Sequence, residues 1–129
     1  MTLVIHGKPA PQPRVRAYRR GEHAGVYTPS TADAWKEQVM LAAGLYRGQF
    51  TTGPLRLEVE FYLPRPQAHK HDDYVAVKPD LDNLLKSTMD ALSDVGIWHD
   101  DAQVAAIVST KRYESANQAI GAIIRLEGI

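Results

Sequence analysis

The sequence predicts an α+β fold, a single domain in which two main helices pack on one mixed β-sheet, and three observations carry that expectation. Apolar and polar residues alternate through most of Leu55 to Leu63, as on a half-buried strand. Two other stretches, one with Trp35, Val39 and Ala42 or Ala43 and one with Leu81, Leu84, Leu85, Thr88, Met89 and Leu92, repeat their apolar residues every three or four positions, as on a helix. The chain of 129 residues is long enough for one core, and its 44% hydrophobic and 23% charged content is that of a globular protein.

Each element has a local reason. Thr2-Leu3-Val4-Ile5-His6 is a β-branched run ended by Gly7 and by Pro9-Ala10-Pro11-Gln12-Pro13, which cannot donate regularly to a ladder, so a strand gives way to a loop. That loop is expected to run through the arginines to Thr28-Pro29. Ser30 or Thr31 then caps a helix from about Ala32 to Leu45-Tyr46. Thr51-Thr52-Gly53-Pro54 breaks the chain before the alternating strand, and Pro64 to Val77, without periodicity, reads as a mobile surface loop. The second helix ends at Gly96, a C-terminal cap. Val104 to Tyr113 and Gln118 to Leu126 read as two more strands, joined by Glu114-Ser115-Ala116-Asn117. The order is β, α, β, α, β, β, with no repeat or linker, so residues 1–129 form one domain.

Composition removes several function classes. The absence of cysteine excludes disulfide frameworks, thiolate zinc sites and thiol nucleophiles, and suits a reducing compartment. No apolar run approaches the roughly 18–20 residues of a membrane span, and the N-terminal residues lack a signal-peptide pattern, so a cytoplasmic protein without a membrane partner is expected. The net charge of zero conceals segregation. Lys8, Arg14, Arg16, Arg19 and Arg20 lie together without an acid, whereas Asp72 to Asp101 holds Asp72, Asp73, Asp80, Asp82, Asp90, Asp94, Asp100 and Asp101 against Lys78 and Lys86. One region attracts phosphates and the other attracts cations.

The densest chemistry is Lys78-Pro79-Asp80-Leu81-Asp82-Asn83-Leu84-Leu85-Lys86, followed by Asp100-Asp101. Residues two apart on a helix point roughly 200° away from each other, so Asp80 and Asp82 converge only if Asp80 stands in extended backbone before the helix, which Pro79 favours. Lys86 shares a helical face with Asp82. The helix then carries the chain away, and Asp100 or Asp101 must return, from the same chain or an adjacent subunit, for the carboxylates to meet. Such an oxygen-only ligand set suits magnesium, or manganese in its place, rather than zinc, and a lysine beside it can steady phosphoryl charge; phosphodiester hydrolysis fits.

Plainer roles compete at every one of these positions. Asp80 can be a helix cap, Asp82 a first-turn acid, Asp100-Asp101 a turn, Lys86 an ion-pair partner of Asp82 or Asp90, and the arginines a solvated loop. Asp90 and Asp94 read as solvated, and the histidines as surface residues, with only His99 close to the acids. Trp35 and Trp98 read as core anchors, and Tyr18 and Tyr27 as packed residues rather than base-stacking platforms.

Taken together, the run at 78–86, Asp90-Ala91-Leu92, Gly96 and Trp98-His99-Asp100-Asp101-Ala102-Gln103-Val104 resemble the RusA family of Holliday-junction resolvases, crossover junction endodeoxyribonucleases of bacteria and their phages. Pro9 to Arg20 and Tyr27-Thr28-Pro29 are similar too, so the likeness covers most of the chain. The resemblance implies a small α+β homodimer, magnesium held by aspartates, four-way junction DNA as substrate, and paired symmetric cuts. By position it assigns Asp80, Asp82 and Asp101 to metal and catalysis and Lys86 to catalysis, with Asp100 matching a frequently acidic neighbour. Some members carry arginines directly before the first aspartate, where this chain has Lys78-Pro79. DNA contacts are therefore expected from Arg14, Arg16, Arg19 and Arg20, with Lys8 and Lys78 beside them. Two other functions remain open at this point: a junction-binding protein without activity, and a metal-dependent nuclease or phosphatase for forks, flaps or small phosphate esters.

Overall fold

The computed structural model describes residues 1–129. Its main sheet takes the order β1-β6-β4-β5 from strands β1 (Thr2–His6), β4 (Leu55–Leu63), β5 (Val104–Tyr113) and β6 (Gly121–Gly128). A separate two-stranded sheet is made by β2 (Arg16–Arg20) and β3 (His23–Tyr27), and the helices are α1 (Asp33–Ala43) and α2 (Leu81–Val95). β6 pairs antiparallel with β1 and β4, whereas β4 and β5 are parallel, so the sheet is mixed as the sequence predicts. A parallel pair needs a long crossover, and α2 supplies it.

Alternation along β4 places Leu55, Leu57, Val59, Phe61 and Leu63 under the helices, fully buried or nearly so. On the other face lie Arg56, Glu58 and Glu60, where Arg125 Nη1 reaches Glu60 Oε2 at 2.8 Å. Trp35 and Val39 of α1 and Leu84, Ala91 and Leu92 of α2 close the core from above. Trp35 Nε1 donates to Thr88 Oγ1 at 3.1 Å, so the polar atom of this core tryptophan is satisfied where the helices meet. Trp35 and Trp98 are both buried, as expected. Gly96, φ 77°, ends α2, its N–H taken by the Leu92 and Ser93 carbonyls. No helix is long and apolar enough to cross a membrane.

The structure differs from the sequence expectation in four places. The first helix ends at Ala43 and continues only as a short 3-10 turn, Gly44–Tyr46, because Gly44 withdraws helix propensity. The last strand begins at Gly121 rather than Gln118, since Ser115 and Gln118 instead close a bridge across the preceding turn. Pro64 to Val77 is anchored: Arg65 donates to the carbonyls of Glu114, His69 and Asp72, His69 stacks on Tyr113, and Val75 N–H bonds Lys111 O along the end of β5. Finally, the basic segment after the prolines is a β-hairpin. It lacks apolar alternation because it has no core to face, and its residues are exposed on both sides.

Candidate active site

The N-terminal end of α2 gathers most of the predicted site. Asp80 holds the N-cap position in extended backbone, φ −70° and ψ 139°, yet its side chain makes no capping hydrogen bond. Its main-chain carbonyl accepts from Leu84 N–H at 3.1 Å, while the carboxylate stands exposed. Asp82, in the first turn, accepts from its neighbour Asn83 N–H through Oδ1 at 2.9 Å and is also exposed. The positive end of the helix dipole favours both anions here. Lys86 lies one turn further on, exposed and in no ion pair, so the pairing with Asp82 or Asp90 does not form.

Two neighbours set this end in place. Lys111, on β5, donates through Nζ to the carbonyls of Val77 at 2.7 Å and Pro79 at 2.8 Å, tying the approach to Asp80 onto the sheet. Lys111 carries no sequence signal until strand pairing is known, when a lysine in register with inward-facing Phe61 stands out. On the other side, the proline-rich segment lies along α2: Gln12 N–H donates to Asn83 O at 2.9 Å, and Ser87 Oγ donates to Ala10 O at 2.6 Å. Arg14 and the hairpin of Arg16, Arg19 and Arg20 therefore spring from beside the first turns of α2. Lys8 and Lys78 line one wide cleft with Pro9, Pro11, Pro79 and Tyr113, about 690 Å³ in volume.

The other acidic residues collect at the far end. Asp100 caps the short turn Asp101–Gln103, its Oδ1 accepting from Ala102 N–H at 2.8 Å while the Gln103 side chain accepts from the Asp100 backbone. Asp100 thus has the turn role its sequence context suggests. Asp90, Asp94, His99, Asp100 and Asp101 share one depression with Lys36, which pairs with Asp94 at 3.6 Å. Asp101 is held above the usual carboxylate range, first by its hydrogen bond to Asp100, then by partial burial and by the charges of Asp100 and Asp90. Asp100 is held below that range, mainly by the Ala102 N–H.

Asp80, Asp82 and Lys86 thus lie on the cap and first two turns of one helix, and Asp101 does not join them within one chain. Asp82 and Asp90, the acid nearest Asp101 on the helix, are eight residues apart, about 12 Å along the axis at 1.5 Å per residue. No three acids or histidines of the chain converge closely enough to share a metal ion. The donor chemistry of Asp80 and Asp82 fits a hard divalent cation; the number of carboxylates at that end falls short.

The parts present are a free carboxylate pair with a lysine at a helix N-terminus, a basic hairpin beside it, and an α+β frame that positions both. The profile of the RusA endodeoxyribonucleases matches residues 6–125, and the chain belongs to that family. Protein YqaN of Bacillus subtilis (strain 168), itself uncharacterised, is 31% identical over 123 residues, with 86% of either chain covered. The crossover junction endodeoxyribonuclease rusA of Lactococcus phage r1t is 29% identical over 65 residues, half of each chain.

Proposed function

We propose that the protein is a divalent-metal-dependent endonuclease that resolves four-way DNA junctions, acting as a homodimer in recombination and repair. The observation that carries this reading is the free carboxylate of Asp80: a residue in the N-cap position that caps nothing, next to Asp82 and unpaired Lys86. A cap alone would need the oxygen turned onto the helix N–H groups. Family membership and the similarity to the phage resolvase supply the reaction class and the junction substrate. The organisms of the two relatives suggest a bacterial or phage-encoded protein working in the cytoplasm.

Asp80 and Asp82 would hold magnesium, or manganese in its place, with Asp101 as the further ligand. Bound there, the ion supplies charge neutralisation at the scissile phosphate and lowers the pKa of water. Lys86 places an ammonium where charge develops on the phosphate oxygens, and the helix dipole acts in the same direction. Arg14, Arg16, Arg19 and Arg20, with Lys8 and Lys78, hold the flanking phosphates. Asp100 holds the turn that presents Asp101.

Dimerisation accounts for the separation of Asp101 from the other two. β5 is paired with β4 on one side, while its other edge is met only near its C-terminal end by residues 73–75. Ile107 and Val108 are 46% and 50% exposed on the open stretch. α2 runs opposite to β5, so Asp80 lies near the end of β5 and Asp101 just before its start. Antiparallel, two-fold pairing of two β5 edges sets the start of one strand beside the end of the other. That symmetry carries the partner subunit's Asp101 toward Asp80 and Asp82, and makes two equivalent sites for two equivalent strands.

The test is cleavage of an end-labelled synthetic four-way junction, with fork, flap and linear duplex controls, in magnesium and in excess chelator. Paired, magnesium-dependent cuts on opposite strands of the junction are expected. Binding without cutting in any divalent metal would overturn the enzymatic reading, and equal cutting of forks or flaps would overturn the junction preference.

A further inference from the structure

The β2–β3 hairpin raises a question that its arginines alone do not answer. Two-stranded ribbons are marginal in water unless something covers them, yet this one is its own sheet and is exposed along nearly its whole length. Its turn is built for tightness: Gly21, φ 61°, takes the left-handed conformation required by primed hairpin turns, directly before Glu22.

Register sorts its side chains. Arg16 lies opposite Tyr27, Tyr18 opposite Gly25, and Arg20 opposite His23, and directly opposed residues share a face. One face therefore reads Arg16, Tyr18, Arg20, His23, Tyr27. The other carries Ala17, Arg19, Ala24 and Val26. The only acid in the hairpin is Glu22, in the turn.

The two tyrosines do not pack into the core, contrary to the sequence expectation, because the hairpin holds them away from it. They are 43% and 47% exposed, and their rings meet at 6.2 Å between centroids with a 59° tilt. Tyr18 lies flat on the ribbon over Gly25. A Cβ at that glycine would fall 2.7–2.8 Å from the phenol oxygen and ring carbons of Tyr18. The missing side chain thus seats the ring against the backbone and turns its other face outward.

We propose that this face is a stacking platform for DNA bases that have left the duplex, those at the open centre of a junction or in a single strand. Aromatic rings flanked by arginines suit such bases, since every base has a π-face and each neighbouring phosphate has a cation within reach. A duplex buries its base faces and offers the ribbon only phosphates. The segment that leads into the platform is bonded to the first turns of α2, the helix that carries Asp82 and Lys86. The inference rests on DNA being the substrate, and deepens that reading by assigning a part of DNA to a particular face.

The experiment compares the wild type with the double variants Tyr18→Leu/Tyr27→Leu and Tyr18→Phe/Tyr27→Phe, in chelator so that nothing is cut. Affinities are measured for a fluorescent four-way junction, a matched duplex and a single-stranded dT oligomer. Loss of roughly tenfold or more on the junction and on dT is expected for the leucine variant, with duplex affinity changed less than about threefold, and the phenylalanine variant restoring wild-type binding. Gly25→Ala, which displaces the Tyr18 ring, is expected to weaken dT binding in the same direction. Unchanged dT binding by the leucine variant overturns the proposal, as does an equal loss on all three DNAs, or wild-type protein that binds no DNA, which would point to a protein partner. Wild-type cleavage of the junction in magnesium is scored separately. Tyrosine-dependent dT binding without cleavage supports the platform and removes the resolvase reading; junction cleavage with tyrosine-independent binding does the reverse.

Discussion

A dimer that shares its carboxylates between subunits allows two inactive variants to repair one another. Asp80→Asn and Asp101→Asn each remove one ligand without changing side-chain size, and each homodimer then has two defective sites. In a mixed dimer with the partner subunit's Asp101 as third ligand, one site has lost both carboxylates and the other has kept both. Purified mixed dimers therefore regain about half of the wild-type number of sites, and the unpurified mixture, in which random reassortment makes about half of the dimers mixed, about one quarter. Because each mixed dimer has one working site, it nicks a junction once. Regained activity should therefore appear as single nicks on a denaturing gel, with little resolved product on a native gel. If Asp101 acted within its own chain, both sites of the mixed dimer would be dead. The assay is co-expression of the two variants with different tags, tandem purification of mixed dimers, and cleavage of an end-labelled junction in magnesium. Purified mixed dimers no more active than either parent variant would refute the reasoning, as would purification of the wild type as a monomer at assay concentrations.

Three further predictions concern the charge and the frame. Each phosphate-holding arginine adds about 0.9 to the slope of log affinity against log salt on duplex DNA, so Arg16→Gln and Arg20→Gln together should flatten that slope by roughly 1.8; an unchanged slope would remove them from the DNA interface. Asp101 is raised, so the folded state holds its proton more tightly than the unfolded chain does, and the stability linked to that proton is lost as pH rises through the carboxylate range. Asp100, lowered, contributes with the opposite sign, so Asp101→Asn in chelator should melt above the wild type at pH 7 and converge with it in acid; a difference that does not change with pH would contradict this. At Gly121, φ 150°, an added Cβ would run into the Ile5 carbonyl oxygen between β1 and β6, so Gly121→Ala should cost about 2 kcal/mol or more in denaturant unfolding.

The order and type of the six main elements were legible mostly because a periodic apolar face is a local property of the chain, β5 with its exposed Ile107 and Val108 being recognised by its β-branched residues instead. Leu55 to Leu63 alternates because the strand has a core on one side, and Leu84, Ala91 and Leu92 recur because the helix has one too. The hairpin was not legible for the same reason in reverse. With no core to face, Arg16 to Tyr27 has no alternation, and its structure shows only in the cross-strand register. The free state of the Asp80 carboxylate could not be read either. Asp in the N-cap position is the same letter whether or not its oxygen turns onto the helix.

The residue types of the proposed site, three aspartates, a lysine and a run of arginines, were legible in the sequence itself, because the chemistry of oxygen ligands and phosphate-binding cations belongs to side chains. Only the tertiary structure decided which of them are neighbours. A fifteen-residue helix separates the residues of the motif, leaving Asp80, Asp82 and Lys86 at one end and Asp101, nineteen positions after Asp82, at the other. Rigid helical rise sets that distance, and the open edge of β5 is where a second chain can close it.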